Sequence, residues 1–281
     1  MIEYNLNVKL ITFMLLLFVV PIDTNSKNKL KLNQQEICLL INVLDHNYEN
    51  IDRESFDKIN AIGYRTIELG NYMKPLSKEL TGIVTGLKFN TLACGGSLWE
   101  LQNSIDSVIQ RGKLLHQKYI ICYWPWLDSA ENVTVDQCKK SADIMNILGE
   151  KCHKSGLKFA FHNHSIEFRK IEGKYVCDYL LEYTNPSFVS LEFDIYFALK
   201  ANSDPLYYMD KHKERIDILH LFAIDEKKSH PVVGDGMRDF VKIIRKSNEI
   251  GVKYLVVEGN DLKNPMRYVE ESYNRLKKLT H

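Results

Sequence analysis

The chain has 281 residues, 45% hydrophobic and 26% charged, with a formal net charge of +1. That length and an ordinary apolar content indicate one α/β-sized globular domain and exclude a disordered or fibrous chain. A near-neutral balance without a long basic block excludes a surface built to neutralise nucleic-acid phosphates.

Lys9 precedes an apolar run from Leu10 to Val20, followed by Pro21 and a polar, small-residue stretch through Ser26. A bilayer span needs about 20 apolar residues. The shorter run here has the layout of a secretory signal peptide. The expectation is a signal segment over residues 1–26 and a barrel over 27–281. The product is then exported, periplasmic or secreted, with no stable membrane partner after cleavage.

Beyond this segment strands and helices alternate. Ile37–Val43 reads as a strand, Arg53–Ile62 as a helix, Thr66–Leu69 as a strand, Ser77–Val84 as a short helix and Leu87–Ala93 as a strand. Leu98–Leu115 has helical spacing, Tyr119–Tyr123 is compact and β-rich, and Thr134 opens an amphipathic helix through His153 that Gly156 stops. A strand to His162, a helix over Val176–Tyr183 and a strand to Asp194 follow. Then come a helix over Pro205–Arg215, a strand to Phe222, a helix over Asp239–Ile250, a strand over Tyr254–Glu258 and a closing helix over Pro265–Leu279.

These are eight strand–helix units. Apolar strands without clean alternation imply burial on both faces, as in a parallel sheet covered by helices. No Gly-rich phosphate loop follows the first strand, so the expectation is a single-domain α/β fold, a (β/α)8 TIM barrel, rather than an open doubly wound sheet. Of the six cysteines none forms a Cys-x-x-Cys pair, and Cys38, Cys94 and Cys122 sit in strand-like runs where a thiol packs as a small hydrophobe.

Four consecutive strands end on chemistry-bearing residues: Phe159–His164 in two imidazoles, Val189–Asp194 in a carboxylate, Ile216–His220 in an imidazole and Tyr254–Glu258 in a carboxylate. Carboxyl ends of barrel strands form the catalytic mouth. Residues two apart on a strand share a face, so His162 pairs in direction with His164, and Glu192 with Asp194. Imidazoles with Asp194 and Glu258 make a mixed N/O set suited to Mn²⁺, Co²⁺ or Zn²⁺. Each residue alone is more often satisfied packing; their joint placement carries the argument. Trp124, in Tyr-Trp-Pro-Trp after the fourth strand, offers a face for sugar C–H surfaces or packs the rim.

The chain resembles the sugar phosphate isomerase/epimerase group of the xylose isomerase-like TIM barrels. The resemblance rests on Phe-His-Asn-His with Glu167-Phe168, Leu-Glu-Phe-Asp-Ile-Tyr-Phe-Ala, Arg215 ahead of Leu-His-Leu, Val233-Gly234-Asp235-Gly236, Val-Val-Glu, and Gly63-Tyr64-Arg65-Thr66-Ile67-Glu68-Leu69. It implies a divalent metal (Mn²⁺, Co²⁺, Zn²⁺ or Mg²⁺) held by one residue from each of the last four strands. Carried over, these are Asp194, His220 and Glu258, with His162 or His164 where the group has Glu. Glu258 and one of the two imidazoles then exchange a proton with the carbon beside a sugar carbonyl, through an enediolate. Glu68, Glu167, Trp124 and Asp235 are candidates for substrate contact. The group's His-Leu-Lys-Asp after strand seven is His220-Leu221-Phe222-Ala223 here, which removes a cation suited to a phosphate. The partner implied is a small carbohydrate, and homo-oligomerisation is left open. A keto-sugar or keto-inositol lyase or dehydratase using the same site is the alternative, and a non-catalytic carbohydrate-binding barrel a further one.

Overall fold

The computed structural model describes residues 35–45, 51–71, 77–224, 230–260 and 262–280. The expected signal segment lies outside the described residues. Parallel strands form the barrel: β1 (Glu36–Leu40), β2 (Thr66–Glu68), β3 (Asn90–Thr91 continuing as Ala93–Ser97), β4 (Tyr119–Trp124), β5 (Lys158–His162), β6 (Val189–Asp194), β7 (Ile216–Leu221) and β8 (Tyr254–Val257). The two parts of β3 are hydrogen-bonded segments at opposite ends of a nine-segment sheet. Leu92 N–H donates to Ile67 O at 2.7 Å and Gly95 N–H to Gly70 O at 3.1 Å, so β3 meets β2 along its length and the sheet closes.

The helices outside are α1 (Arg53–Ile62), α2 (Lys78–Gly86), α3 (Leu98–Leu114), α4 (Val135–Lys154), α5 (Val176–Tyr183), α6 (Ile195–Lys200), α7 (Pro205–Lys211), α8 (Phe240–Glu249) and α9 (Pro265–Thr280). Capping boxes start α3 at Ser97–Glu100 and α4 at Thr134–Gln137, each satisfying orphan N–H groups at the helix start. Gly156, at φ +79°, reverses the chain beyond α4 where a side chain would be strained. Among the described residues no helix is long and apolar enough to cross a membrane. All six cysteines are buried free thiols.

Alternation along the strands sorts the core into two parts. Cys38, Leu40, Tyr119, Ile121, Ala160, Ile218, Tyr254 and Val256 fill the barrel interior, and a larger apolar layer lies between strands and helices. Two residues beyond Ala160, Ile218 and Val256, on the same face, come His162, His220 and Glu258. The chemistry-bearing residues are therefore the uppermost layer of the interior.

Several expected boundaries move. The first strand stops at Leu40, and Ile41–Val43 form a 3-10 turn. The third strand is displaced from Leu87–Ala93 to Asn90–Ser97; Gly95 and Gly96 are strand residues, and Gly95 sits at a close backbone approach. The helix from Pro205 ends at Lys211 rather than Arg215, and α6 was not expected at all. Arg215, expected to orient the seventh strand through a salt bridge, makes none among the described residues. Its guanidinium donates to the carbonyls of Val189 (2.8 Å) and Leu181 (2.9 Å) and to Thr184 Oγ1 (2.8 Å).

On the outer wall, Asp178 of α5 accepts from Lys211 Nζ at 2.7 Å and meets His212 Nε2 at 2.9 Å. Burial pushes this carboxyl up, but His212 and Lys211 outweigh burial and hold it below its ordinary value. Its stabilisation is therefore complete above about pH 4 and fades as the pH falls through the lowered value. Asp178→Asn is expected to cost about 1–2 kcal/mol at neutral pH, discounted for the half-exposed lysine. The difference from the parent should shrink as the pH falls through the lowered value, read in denaturant titrations.

Candidate metal centre and active site

Strand register sets the site. Across β5 and β6, His162 stands beside Glu192; across β6 and β7, Asp194 stands beside His220. Glu258 follows the end of β8, its N–H donating to Leu221 O at 3.0 Å. Glu68 ends β2, which is separated from β8 by β1. Glu68, Glu192, Asp194 and His220 are wholly buried and His162 is nearly so, while Glu258 is the carboxylate that reaches toward solvent, with its side chain 13% exposed.

The contacts form one cluster. His162 Nδ1 lies 3.1 Å from Glu192 Oε2, and its Nε2 lies 3.6 Å from Asp194 Oδ2. His220 Nδ1 is 2.6 Å from Glu258 Oε2. Its Nε2 lies 3.3 Å from both Glu68 Oε1 and Glu192 Oε1. The Tyr123 hydroxyl donates to Glu68 Oε1 at 2.6 Å. The two imidazole rings sit edge-to-face with centroids 4.8 Å apart.

Asp194 has two tasks. One oxygen caps α6 by accepting from Phe197 N–H at 3.0 Å. The other, Oδ2, is buried without a hydrogen-bond partner. Asn163, between the two histidines of the His-Asn-His run, fixes the Asp194 backbone: its amide donates to Asp194 O at 3.1 Å and its oxygen accepts from Asp194 N–H at 2.9 Å.

Four buried or near-buried carboxylates share this space with two imidazoles. Burial and then the Glu192 charge raise the Glu68 carboxyl; burial and then Glu258 push Asp194 well above the usual carboxylate range. Burial, with His220 beside it, drives His162 down to about 3. For His220 burial acts in the same downward sense, but Glu192, Glu68 and Glu258 outweigh it and push it well up. Such a cluster demands positive charge, as protons or as a cation. Glu192 Oε1 and Asp194 Oδ2 are buried acceptors with no hydrogen bond; the 3.3 Å approach of His220 to the former is close without being aligned. Two groupings of ligand atoms lie within 4.8 Å of one another, His162–Glu192–His220 and Asp194–His220–Glu258. Orphaned carboxylate oxygens beside neutral imidazole suit a divalent ion.

The structure thus brings His162, Asp194, His220, Glu258 and Glu68 together. His164 stands on the wall above, its ring between Trp124 (5.4 Å) and Phe197 (4.7 Å), with Nδ1 unpartnered. Glu167 is buried, with Oε1 accepting from Trp126 Nε1 at 2.7 Å and Oε2 from His164 N–H at 2.6 Å. Its carboxylate serves the protein's own donors. Asp235 accepts from Arg275 and from Val232 N–H, and lines a cleft of about 800 Å³ on the α8–α9 face rather than the cluster. Phe222, where the group has Lys, is buried and stacks on Tyr196 with centroids 4.9 Å apart. Sequence reasoning missed Glu192, Asn163 and Tyr123. The two-residue spacing of Glu192 and Asp194 was the available signal for the first; nothing in the sequence pointed Tyr123 at Glu68.

No protein-family model matches the chain. An inosose dehydratase of Lacticaseibacillus casei is 26% identical over 163 residues, covering 50% of this chain and 54% of that protein. The chain spans about half the length of the curated relatives it matches. A crystal structure of a sugar phosphate isomerase/epimerase from Parabacteroides distasonis superposes with TM-score 0.73 at 22% identity, covering 87% of this chain and 98% of that one. The 3-keto-D-glucoside 4-epimerase of E. coli gives TM-score 0.64 at 13% identity, covering 87% and 99%. The fold is that of the sugar phosphate isomerase/epimerase proteins among the xylose isomerase-like TIM barrels.

Proposed function

We propose that the chain is a metal-dependent isomerase or epimerase of a keto-sugar, with His162, Asp194, His220 and Glu258 holding a divalent cation of the Mn²⁺, Co²⁺, Zn²⁺ or Mg²⁺ kind. The observation that carries this is the unpartnered Asp194 Oδ2, buried beside imidazole nitrogens at the barrel mouth. A divalent ion supplies Lewis-acid polarisation of a substrate carbonyl, which acidifies the neighbouring C–H.

The protein's own groups move the proton. His164, His162, His220 and Glu258 form a row, with ring centroids 5.1 Å and 4.8 Å apart and the last contact 2.6 Å. The two ends of the row flank the site. His164 stands at one end of the row with its buried Nδ1 unpartnered, and that nitrogen is the group offered to the proton on the substrate carbon. Glu258, the carboxylate open to the mouth, serves the other side, and the proton passes to or from its carboxylate oxygen. Phe197 and Trp124 flank His164 and keep water from it. Phe222, buried against Tyr196 and Phe197, brings no charge to the end of β7, which favours an unphosphorylated substrate.

If a β-oxygen substituent leaves with a proton instead of the carbon regaining one, the product is a dehydrated sugar. The names of the curated relatives, inosose dehydratases, favour this second reading. Incubation with free ketoses and oxidised glycosides in D2O with Mn²⁺ separates the cases. Deuterium at the carbon beside the carbonyl without loss of water supports the epimerase. Release of water supports the dehydratase. Binding with neither outcome contradicts both and leaves a carbohydrate-binding barrel. In the same reading residues 1–26 are an export signal, the barrel spans 27–281, and the enzyme works in the periplasm or outside the cell.

A further inference from the structure

The two groupings of ligand atoms overlap at His220, and a single imidazole cannot present both nitrogens to one ion. We propose that two rear carboxylates, Glu192 behind His162 and Glu68 behind His220, fix the two rings in opposite tautomers, so that His162 Nε2 and His220 Nδ1 are the nitrogens turned to the cation. The inference rests on the metal reading above and goes beyond it by naming the positioning residues and the liganding atoms.

Distance assigns the role of His162, and position in the site that of His220. On His162 the nearer carboxylate contact is Nδ1 to Glu192 at 3.1 Å, a hydrogen-bond length; Nε2 stands 3.6 Å from the orphaned Asp194 Oδ2, too long for one. The proton therefore sits on Nδ1, donated to Glu192, and the Nε2 lone pair faces Asp194. On His220 position decides rather than the shorter distance. Nε2 lies over the closed floor, within 3.3 Å of the wholly buried Glu68, and Glu192 Oε1 is as near without being aligned. Nδ1 stands 2.6 Å from Glu258 Oε2 at the mouth, a separation at which the two atoms share a proton or would both be ligands of one cation. With the cation in place of that proton, the remaining N–H is Nε2–H, directed at Glu68, and the Nδ1 lone pair faces the mouth. A metal-bound imidazole almost always donates its other N–H to such a partner, which fixes the tautomer and raises ligand basicity.

Glu68 is itself held. The Tyr123 hydroxyl donates to Oε1 at 2.6 Å, and that ring lies 5.7 Å from His162. Glu192 reaches both rings, with Oε2 toward His162 and Oε1 toward His220. Glu68 and Glu192 are both wholly buried below the imidazoles. They act through the histidines and are positioning residues, which removes Glu68 from the substrate contacts expected of it.

The test is nitrogen-15 NMR of histidine-labelled, Zn²⁺-loaded full-length protein, with Zn²⁺ affinity measured by titration for the parent, Glu68→Gln, Glu192→Gln and Tyr123→Phe. The expected spectrum shows His162 metallated at Nε2 and His220 at Nδ1. Glu68→Gln and Glu192→Gln keep the shape of the side chain, and each should weaken Zn²⁺ binding by about 10–100-fold. Tyr123→Phe leaves the charge in place and should weaken it less while shifting the His220 Nε2–H resonance. Reversed nitrogens, or affinities of both Gln variants within about threefold of the parent, overturn the assignment while leaving the metal reading intact. A parent protein that takes up no Zn²⁺, Mn²⁺ or Co²⁺ overturns the metal reading, and this assignment with it.

Discussion

Asp194→Asn is expected to fold like the parent and to lose the metal centre. The reason lies in the division of labour between the two oxygens. Oδ1 caps α6 through Phe197 N–H, and asparagine caps a helix about as well as aspartate. Oδ2 is the unpartnered buried acceptor, and replacing the carboxylate with an amide removes both its charge and its basicity there. Even an outer-shell partner of a metal ligand typically costs 10–100-fold in affinity, so a ligand itself should cost at least about 100-fold. Proton exchange at the substrate carbon should fall at least as far. Asp194→Ala adds the loss of the cap, about 1 kcal/mol of stability, to the same loss of metal. Equal stability of parent and Asn variant, a lower melting temperature for the Ala variant, and metal loss in both would match this account. Metal retention in the Asn variant would remove Asp194 from the ligand set.

The largest stability effect of a one-carbon change is expected at Gly95. A Cβ there would fall 1.7 Å from Ile121 O, with the carbonyl carbon and the amide nitrogen of the same residue at 2.6 and 2.9 Å. These are backbone atoms of β4, hydrogen-bonded on both sides, so no rotamer change relieves the clash. Overpacking of a core usually costs about 1–3 kcal/mol, and a backbone clash belongs at or above the top of that range. Gly95→Ala should therefore lower stability by about 3 kcal/mol or more, read in denaturant titrations. Gly82→Ala, with open space around the added carbon, serves as the control and should be neutral or slightly stabilising.

The closed barrel was legible because the physics that builds it is written locally. Ala160, Ile218 and Val256 are apolar, and each is followed two residues later by His162, His220 or Glu258. Period-two alternation alone then stacks those three at one end of one interior. Asp194 followed from the same pattern. What escaped depends on neighbours in space. The expected third strand ends at Ala93, before Gly95-Gly96; only the approach of β4 shows why glycine is required inside a strand there. The α6 helix is six residues long, too short for periodicity to reveal, and exists because Asp194 caps it. Glu192 and Asp194 were seen to share a direction, but which of the two would carry an unpartnered oxygen depends on Asn163, Phe197 and His162 around them. Glu167 and Asp235 resembled substrate contacts as motif members. In the fold their oxygens accept from Trp126, His164, Val232 and Arg275. A choice between His162 and His164 needed the register of β5 against β6, which puts His162 beside Glu192 and leaves His164 on the aromatic wall.

Metal content of the purified full-length chain, after equilibration with Mn²⁺, Co²⁺ and Zn²⁺ and removal of excess ion, addresses the central claim most directly. A stoichiometric divalent ion is expected in the parent and none in the Asp194→Ala/His220→Ala double variant, with both proteins folded by circular dichroism. A folded parent that carries no ion, or a double variant that keeps it, would rule out a metal centre at these residues.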